Sequence, residues 1–345
     1  MKRLRVATLC LLLLVLCGLL GYLYLDREMD TFHTPVSPTP FEIPSGVSAR
    51  DVLRILNEHG VIGDENLTMI YLVLSGQRKG LKAGEYLFDR QVTPREAIDK
   101  LAVGAIHLHR FTVPEGLTLT ETALKWQEQG FGKAEDFAAA ARDSLDLVSD
   151  FEGNGSSNIS LEGYLFPETY FFAIRTTPRR AIEAMVARFR TVLKQLEKSV
   201  PMESWPLKAR DTVVLASLVE AEAAVDSERP LIASVFLNRL KLRILLQCDP
   251  TVIYALEKTN RYEGRLTTAD LKVDSPYNTY RYPGLPPGPI GNPGKRSLEA
   301  VTKPAVSRYL YFVRTTDGRH TVSENLAAHN RAVAAYRAQV RSAHP

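Results

Sequence analysis

The sequence predicts an α+β fold that is divided into more than one domain. Amphipathic helices are mixed with β-hairpin signals and do not alternate regularly with strands, which argues against a doubly wound parallel sheet. The chain has 345 residues, enough for two or three domains, and 45% of them are hydrophobic, so it can bury a substantial core. A formal net charge of +4 excludes a strongly basic nucleic-acid-binding protein on composition, and we expect no nucleic-acid partner.

The N-terminus carries a long apolar segment. Residues 6–25 (VATLCLLLLVLCGLLGYLYL) contain no charge, and a helix of that length spans roughly 30 Å, the hydrocarbon thickness of a bilayer. Basic side chains in residues 1–5 place that end in the cytoplasm by the positive-inside rule, and the rest of the chain outside. A cleaved signal peptide is the alternative, but its apolar core is shorter and a small-x-small cleavage site follows it. We therefore expect a retained single-pass transmembrane helix.

A small α/β module is predicted to follow this helix. The proline-rich stretch over 31–44 indicates a stiff linker, which we place at 26–40. The module covers 41–113. Its predicted elements are a helix over 48–58 capped by Ser48, a helix over 66–74, a strand over 84–88, a helix over 94–103 that begins with a capping box at Thr93 and ends at Gly104, and a strand over 106–113.

Residues 114–345 are predicted to form a larger α+β domain. A polar loop is expected over 149–160, and the segment 273–294, rich in proline, glycine, asparagine and tyrosine, cannot be helix or central strand. A hairpin is expected around Asp317 and Gly318. Helices are predicted over 118–129, 133–143, 211–224 and 231–242, from 177 onward and from 324 onward.

Two glutamates end the nearly all-apolar helix predicted over 211–224. Glu220 and Glu222 are two residues apart, so they lie about 200° apart around the helix and face different surroundings. Apolar neighbours such as Leu218 predict a raised pKa for Glu222, and a glutamic acid that stays protonated near neutral pH is a competent general acid. The alternative is a purely structural pair of helix-terminal carboxylates bonded to Arg229 or Arg239.

Two further clusters carry candidate binding groups. Gln247 offers a donor and an acceptor, which suits sugar hydroxyls and amides, whereas Asp249 can be explained without chemistry as a helix cap. Asn278, Tyr280 and Asn292 lie in the proline-rich segment, which we expect to form a rigid polar and aromatic wall suited to an extended carbohydrate. A structural loop is the alternative for that segment.

The sequence offers little for other kinds of site. His107 and His109 could share one strand face, but a third ligand at metal spacing is absent, so we expect no metal. A phosphate-binding glycine loop and a GxSxG elbow are also absent, and no cofactor is expected. Only Cys248 lies beyond the predicted membrane segment, so that part of the chain cannot form an internal disulfide.

Taken together, these clusters make the sequence resemble the endolytic murein transglycosylase family (MltG, or YceG-like). The resemblance extends from 162 to about 330, and the predicted anchor and small module also fit the family layout. The motifs that carry it are residues 162–170 (EGYLFPETY), 216–222 (ASLVEAE), 227–228 (SE), 233–240 (ASVFLNRL), 246–254 (LQCDPTVIY), 277–280 (YNTY), 284–290 (GLPPGPI) and 309–313 (YLYFV).

The resemblance implies a single-pass inner-membrane enzyme that cuts peptidoglycan glycan strands internally. It implies a LysM-like module over 41–113 and a transglycosylase catalytic domain over 114–345. Glu222, the second glutamate of the E-x-E pair, corresponds to the family's catalytic residue. Penicillin-binding proteins are the partners that it suggests, with action on nascent strands during wall elongation. The residues expected to bind substrate are Glu220, Gln247, Asp249, Asn278, Tyr280 and Asn292.

The expected reaction breaks the β-1,4 bond between N-acetylmuramic acid and N-acetylglucosamine and leaves a 1,6-anhydro end. A lysozyme-like hydrolase is the alternative enzyme, and it would need a second carboxylate such as Asp249 or Glu220. A non-catalytic peptidoglycan-binding scaffold is the alternative outside enzymes. The chain departs from the family pattern at Glu168, Ala221 and Cys248, where an aspartate, a lysine and a small hydroxyl residue are common, and none of these departures removes the proposed acid.

Overall fold

The structure is a computed structural model of the chain, and it describes residues 2–152 and 160–343. Clustering of contacts divides the chain into two compact units. The first unit comprises residues 1–109 and 171–174, and the second comprises residues 110–170 and 175–345. Helices and strands are mixed in sequence, so the predicted α+β class is confirmed.

In the first unit, helices pack against a two-stranded sheet. Ser48 and Thr93 cap their helices, and each forms a full capping box with the acidic residue three positions later. The strands pair antiparallel, with Phe41 opposite Tyr86. The elements are α1 (Lys2–Met29), β1 (Phe41–Ile43), α2 (Ala49–Glu58), α3 (Glu65–Leu74), β2 (Gly84–Tyr86) and α4 (Pro94–Val103).

The apolar N-terminal helix is confirmed, and it is longer than predicted. Residues Arg3–Met29 form a helix that contains an 18-residue stretch with a mean hydropathy of 2.6, long and apolar enough to cross a membrane. Residues 26–29, predicted as the start of a linker, continue this helix because Leu25 and Met29 are buried in the unit. His33 pairs with Val92 through backbone hydrogen bonds in both directions. The segment after this apolar helix is therefore paired with the module at His33.

From His109 onward the chain is mainly helical. Strand β3 (His109–Thr112) pairs with β4 (Thr169–Phe172), and β5 (Tyr311–Arg314) pairs antiparallel with β6 (His320–Ser323), which confirms the predicted hairpin. The helices are α5 (Leu119–Glu128), α6 (Ala134–Arg142), α7 (Ser149–Glu152), α8 (Pro178–Ser199), α9 (Ala209–Glu222), α10 (Arg229–Lys241), α11 (Asp249–Glu257), α12 (Lys295–Thr302) and α13 (Leu326–Ala343).

Most of the predicted helices are confirmed, and apart from α1 the predicted helix ends differ from the observed ones by at most two residues. Strand β4 and helices α11 and α12 were not delimited by the sequence patterns. The polar loop predicted over 149–160 begins with the short helix α7, and its residues 153–159 lie outside the described part of the chain.

Helix α9 is the central element of the second unit. Eight consecutive residues, 212–219, are buried, and the helix packs against α10 and α12. Because both faces are covered, its sequence is apolar all round and has no polar stripe. The helix therefore presents its last turn, which holds Glu220 and Glu222, from a fixed support.

The proline-rich segment 273–294 contains no helix or strand, as predicted, and a 3₁₀ helix (Asp270–Lys272) ends just before it. It is held against α9 by a hydrogen bond from the Ile290 amide to Ser217 Oγ, at 3.1 Å. Gly163 lies beneath it with a φ of +86°, and a Cβ there would be 2.5 Å from Pro289 Cγ. Only glycine fits this contact, so the 162–170 motif supports the loop directly.

Candidate active site

The end of α9 places two carboxylates in different surroundings. Glu220 and Glu222 are separated by one residue, and the helical rotation of about 200° turns them to different sides of the helix. The side chain of Glu220 is only 6% exposed, whereas Glu222 is half-buried and accessible at the helix end. The two glutamates therefore need separate accounts.

Glu220 is fully engaged by structural partners. Its Oε1 accepts a hydrogen bond from Arg229 Nη1 at 2.8 Å, and its Oε2 accepts one from the Gly294 amide, at the start of α12, at 2.9 Å. Arg229 also donates to Ser297 Oγ at 2.6 Å and pairs with Asp226. This carboxylate thus ties α9 to α10 and α12. The structural alternative expected from the sequence holds for Glu220, with Arg229 as the partner.

Glu222 has no such cation. Among the described residues, neither Arg229 nor Arg239 forms an ion pair with it. Burial raises the pKa of Glu222 from its ordinary value of 4.5 to about 7, a hydrogen bond from Cys248 lowers it, and the nearby charge of Asp249 adds to the rise. Glu222 is therefore a carboxyl group that carries its proton near neutral pH, as a general acid must.

Cys248 holds the carboxyl group of Glu222. Its side chain is completely buried and hydrogen bonds to Glu222. Burial, and secondarily the charge of Glu222, raise the pKa of the Cys248 thiol well above its usual range, so the sulfur remains protonated and donates. The Cys248 backbone is fixed as well, because its amide donates to Thr279 Oγ1 at 2.9 Å and its carbonyl accepts from Thr251 Oγ1 at 2.7 Å.

Asp249 does not cap a helix, so that explanation is wrong. Cys248 occupies the N-cap position of α11, Asp249 is the first helical residue, and no side-chain cap bond forms. The Asp249 carboxylate instead accepts a hydrogen bond from the Tyr280 hydroxyl. Burial and the bond to Asp249 raise the pKa of Tyr280, so the hydroxyl stays protonated. Asp249 and Tyr280 thus form an accessible polar pair beside Glu222.

Gln247 completes this accessible group. Its side chain is exposed, and its backbone adopts a φ of +49°, which is uncommon for a residue with a Cβ. Arg239 stabilises this turn from within, since its guanidinium donates to the carbonyls of Leu245 and Leu246 at 3.1 and 2.8 Å. From the sequence, Arg239 was an alternative partner for the two glutamates. In the structure it binds the backbone of the turn that carries Gln247.

Asn278 and Asn292 differ from the other predicted binding residues because neither has exposed surface. Asn278 donates to the carbonyls of Leu271 and Val273 at 3.0 and 2.8 Å. The amide of Asn292 accepts from the Leu165 N–H at 3.0 Å and donates to the Leu117 carbonyl at 2.8 Å. Their amide groups are occupied by the backbone, so these two residues hold loops in place and do not offer groups to a ligand.

A comparison with known proteins shows the family to which these features belong. The model of the YceG-like family matches residues 41–335, most of the chain. The chain belongs to the YceG-like family. The resemblance inferred from the motifs is thereby confirmed.

Relatives of this YceG-like protein carry informative names. The endolytic murein transglycosylase of Bacillus subtilis (strain 168) is 35% identical over 306 residues, which cover 85% of this chain and 83% of the relative. The protein of the same name from Streptococcus pneumoniae serotype 2 (strain D39) is 30% identical over 343 residues, 92% of this chain and 62% of the relative. The crystal structure of a yceG-like protein from Listeria monocytogenes superposes with a TM-score of 0.58 at 32% identity and covers 86% of this chain and all of that one.

Glu162 is a second buried glutamate that sequence reasoning did not single out. It opens the first motif of the YceG-like resemblance, which is the signal that could have marked it. Its carboxylate accepts from the Leu119 amide at 2.8 Å and from the Tyr254 hydroxyl at 3.1 Å, which ties α5 to α11. Burial raises its pKa to about 7. It lines a cavity of about 360 Å³ together with Arg142 and Lys258, and Glu222 does not line this cavity.

The histidines considered for metal binding contact each other and a glutamate of the first unit. His107 and His109 are in ring contact, with centroids 4.8 Å apart, and His109 pairs with Glu85. Among residues 2–152 and 160–343, no group of three or more His, Cys, Asp or Glu side chains could hold a metal ion. A metal-free and cofactor-free site stays a prediction for this YceG-like protein.

Proposed function

We propose that this protein is a peptidoglycan lytic transglycosylase that cleaves glycan strands internally, at the β-1,4 bond between N-acetylmuramic acid and N-acetylglucosamine. The observation that carries the proposal is Glu222, a carboxyl group with a pKa of about 7 at the accessible end of a buried helix. The relatives of this protein that are named endolytic murein transglycosylase support peptidoglycan as the substrate class. Activity of this kind needs an acid that still holds its proton when the polymer binds.

Glu222 acts twice in the proposed mechanism. It first donates its proton to the glycosidic oxygen, the bond from C1 of the muramic residue to that oxygen breaks, and the positive charge that develops is of the oxocarbenium type. The Glu222 carboxylate then takes the proton of the muramic C6 hydroxyl, whose oxygen bonds to C1. The products are a strand with a 1,6-anhydro end and a strand with a free 4-hydroxyl, and Glu222 is protonated again.

The neighbours of Glu222 support these steps. The Cys248 thiol fixes one side of the carboxyl group. The Asp249 carboxylate is close enough to affect the pKa of Glu222, and a negative charge there favours the developing oxocarbenium ion. Gln247 and Tyr280 offer hydrogen-bonding groups to sugar hydroxyls and acetamido groups. Glu220, Asn278 and Asn292, which we expected to bind substrate, are assigned a positioning role because their polar atoms already have structural partners.

A lysozyme-like hydrolase is the second candidate, and the position of Asp249 favours it. A hydrolase needs a second carboxylate as a nucleophile or as a base for water, and Asp249 is accessible beside Glu222. The transglycosylase needs only one carboxyl group because the nucleophile belongs to the substrate. The names of the relatives favour the transglycosylase. A non-catalytic scaffold would not require the proton-holding Glu222 at all.

We also propose the cellular setting. Helix α1 anchors the chain in the inner membrane as a single pass, with residues 1–5 in the cytoplasm and the catalytic domain in the periplasm, which the basic residues before the apolar run support. Residues 41–113 act as a LysM-like module that binds glycan, and the separate core of the first unit supports a module of its own. We place the enzyme on nascent strands during wall elongation, near penicillin-binding proteins.

Analysis of the products tests the proposed function. The full-length protein is incubated with purified sacculi, and the released fragments are identified by mass spectrometry. Anhydromuramic ends inside formerly long strands are expected. Reducing ends would replace the proposal with the hydrolase, and the absence of any cleavage by a folded protein would replace it with the scaffold.

A further inference from the structure

Helix α3 has an apolar face that the described residues leave exposed. Ile70, Val73 and Leu74 are 49%, 54% and 68% exposed, and the spacing of three and four residues places them on one side of the helix. Thr68 and Leu72 point the other way and are fully buried. We call Ile70, Val73 and Leu74 the α3 face.

The α3 face lies beside the end of the apolar helix α1. Every described side chain of α1 from Arg3 to Tyr24 is exposed, and the first buried ones are Leu25 and Met29. Helices α3 and α4 both pack against α1 within the first unit. The contact between α1 and its unit therefore begins where the predicted membrane segment ends.

Polar contacts fix α3 to this position. Arg95, in the first turn of α4, forms ion pairs with Asp26 and Asp30 at 2.7 and 2.8 Å. The same guanidinium lies over the ring of Tyr71, on α3, at 5.2 Å from the centroid. Helix α3 is thus joined to the last turn of α1 and cannot be displaced from it without breaking these bonds.

The depth of this region follows from helix geometry. Met29 is about 6 Å beyond Leu25 along the helix axis, and the polar interfacial layer on each side of a bilayer is roughly 5–8 Å thick. The part of the unit that contacts α1 between Leu25 and Met29 thus lies at the level of the lipid headgroups. Helix α3 contacts α1 and is linked through Tyr71 and Arg95 to Asp26, so its exposed apolar side chains are near this level.

We propose that the α3 face inserts into the outer surface of the membrane that α1 spans, with lipid as its occupant. The turn after α3 carries Arg78 and Lys79, both exposed, and such side chains favour the phosphates of anionic lipids. The inference rests on the anchoring role of α1 and adds a second contact that fixes the orientation of the module on the bilayer. A protein partner or a second copy of the chain would be the other occupant of such a face.

Quenching by brominated lipids tests this proposal. The full-length chain and its Val73→Trp variant are reconstituted in vesicles of phosphatidylcholine and phosphatidylglycerol, with bromine at a shallow position of the acyl chain. The two native tryptophans, Trp126 and Trp205, are buried, and the parent protein supplies their background. We expect the added tryptophan fluorescence of Val73→Trp to be quenched at least about twofold more than that of the matched Val103→Trp variant.

Val103 is a matched control because it is a valine with 69% exposure at the other end of α4 from Arg95. A third variant, Leu14→Trp, reports on α1 itself and is measured with bromine deep in the acyl chain, because Leu14 lies near the middle of the predicted span. If Leu14→Trp is quenched and Val73→Trp behaves like Val103→Trp, the proposal is overturned while the anchor stands. If Leu14→Trp is not quenched, the anchor fails. If the tryptophan of Val73→Trp is shielded from acrylamide but is not quenched by brominated lipid, a protein covers the α3 face. That result would also overturn the proposal.

Discussion

The two sides of the last turn of α9 differ in how they treat the same kind of side chain. On one side, Glu220 meets the Arg229 guanidinium and the Gly294 amide, and every oxygen has a strong donor. On the other side, Glu222 meets a neutral thiol and a second carboxylate. The first environment stabilises a charge and the second disfavours it, so two glutamates from one helix turn serve structure and chemistry separately.

Among substitutions at the last turn of α9, we expect Glu222→Gln to have the largest effect on glycan cleavage. The amide keeps the shape of the side chain but cannot donate a proton to the glycosidic oxygen, so glycan cleavage should fall by roughly 10²–10⁴-fold. The melting temperature should not fall, because the substitution removes a carboxyl group that is already poorly solvated. Cleavage is measured on sacculi and stability by thermal unfolding. Cleavage at the parent rate would show that Glu222 is not the acid.

Glu220→Ala is expected to act on stability first. It leaves the buried Arg229 guanidinium without its principal partner, and breaking a buried pair from one side costs about 3–5 kcal/mol in the free energy of unfolding. Denaturant unfolding measures this loss. The control is Glu128→Ala, which removes a partner from an exposed pair at 2.6 Å with Lys125 and should have a much smaller effect. If the variant has normal stability but no longer cleaves glycan, Glu220 takes part in catalysis and its role is not mainly structural.

The sequence could separate the two glutamates by angle but could not assign their partners. Helical periodicity shows that Glu220 and Glu222 diverge, and local caps such as those at Ser48 and Thr93 can be predicted because all their atoms lie within four residues. The Gly294 amide is 74 residues from Glu220, and no local pattern encodes that contact. Long-range pairings of this kind decide which glutamate is free.

The same limit explains the errors near Asp249. Its position before a proline is typical of a cap, but the Tyr280 hydroxyl, 31 residues away, binds the carboxylate and Cys248 takes the cap position. The sequence analysis did not predict the contact between Cys248 and Glu222, since this contact is also made across the fold. Residues 26–29, predicted as the start of the linker, continue α1 for a related reason, because Met29 is buried by the helices that α1 packs against later in the chain.

The pH dependence of cleavage tests whether the pKa of Glu222 is raised. With a pKa of about 7 for Glu222, the fraction of protein that carries the catalytic proton is nearly complete at pH 5 and falls above pH 7. We expect kcat/KM to be level in the acid range and to fall about tenfold per pH unit above roughly pH 8. The profile is measured with soluble glycan strands of defined length. A rate that falls already from pH 4 to 6 would contradict a raised pKa.

Stability should depend on pH in the same window. The pKa of Glu222 is higher in the folded protein, at about 7, than its ordinary value of 4.5, so the folded state binds more protons between these values. The contribution of this group is therefore present at low pH and is lost as the pH rises through about 7. Glu222→Gln should flatten part of the decline in the free energy of unfolding from pH 5 to 7. Glu162, whose pKa is also raised to about 7, contributes to the same decline with the same sign.

The smallest effect is expected from Cys248, whose hydrogen bond lowers the pKa of Glu222 against the larger effect of burial. Cys248→Ala removes the donor, so the pKa should rise and the alkaline limb of the cleavage profile should move to higher pH. Cys248→Ser offers a stronger donor of similar size, so the limb should move to lower pH. Each shift should be below about one pH unit, since one unit corresponds to about 1.4 kcal/mol, the net value of a single hydrogen bond. Opposite shifts from the two variants require a donor at this position, whereas shifts in the same direction would mean that Cys248 only fills space beside the acid.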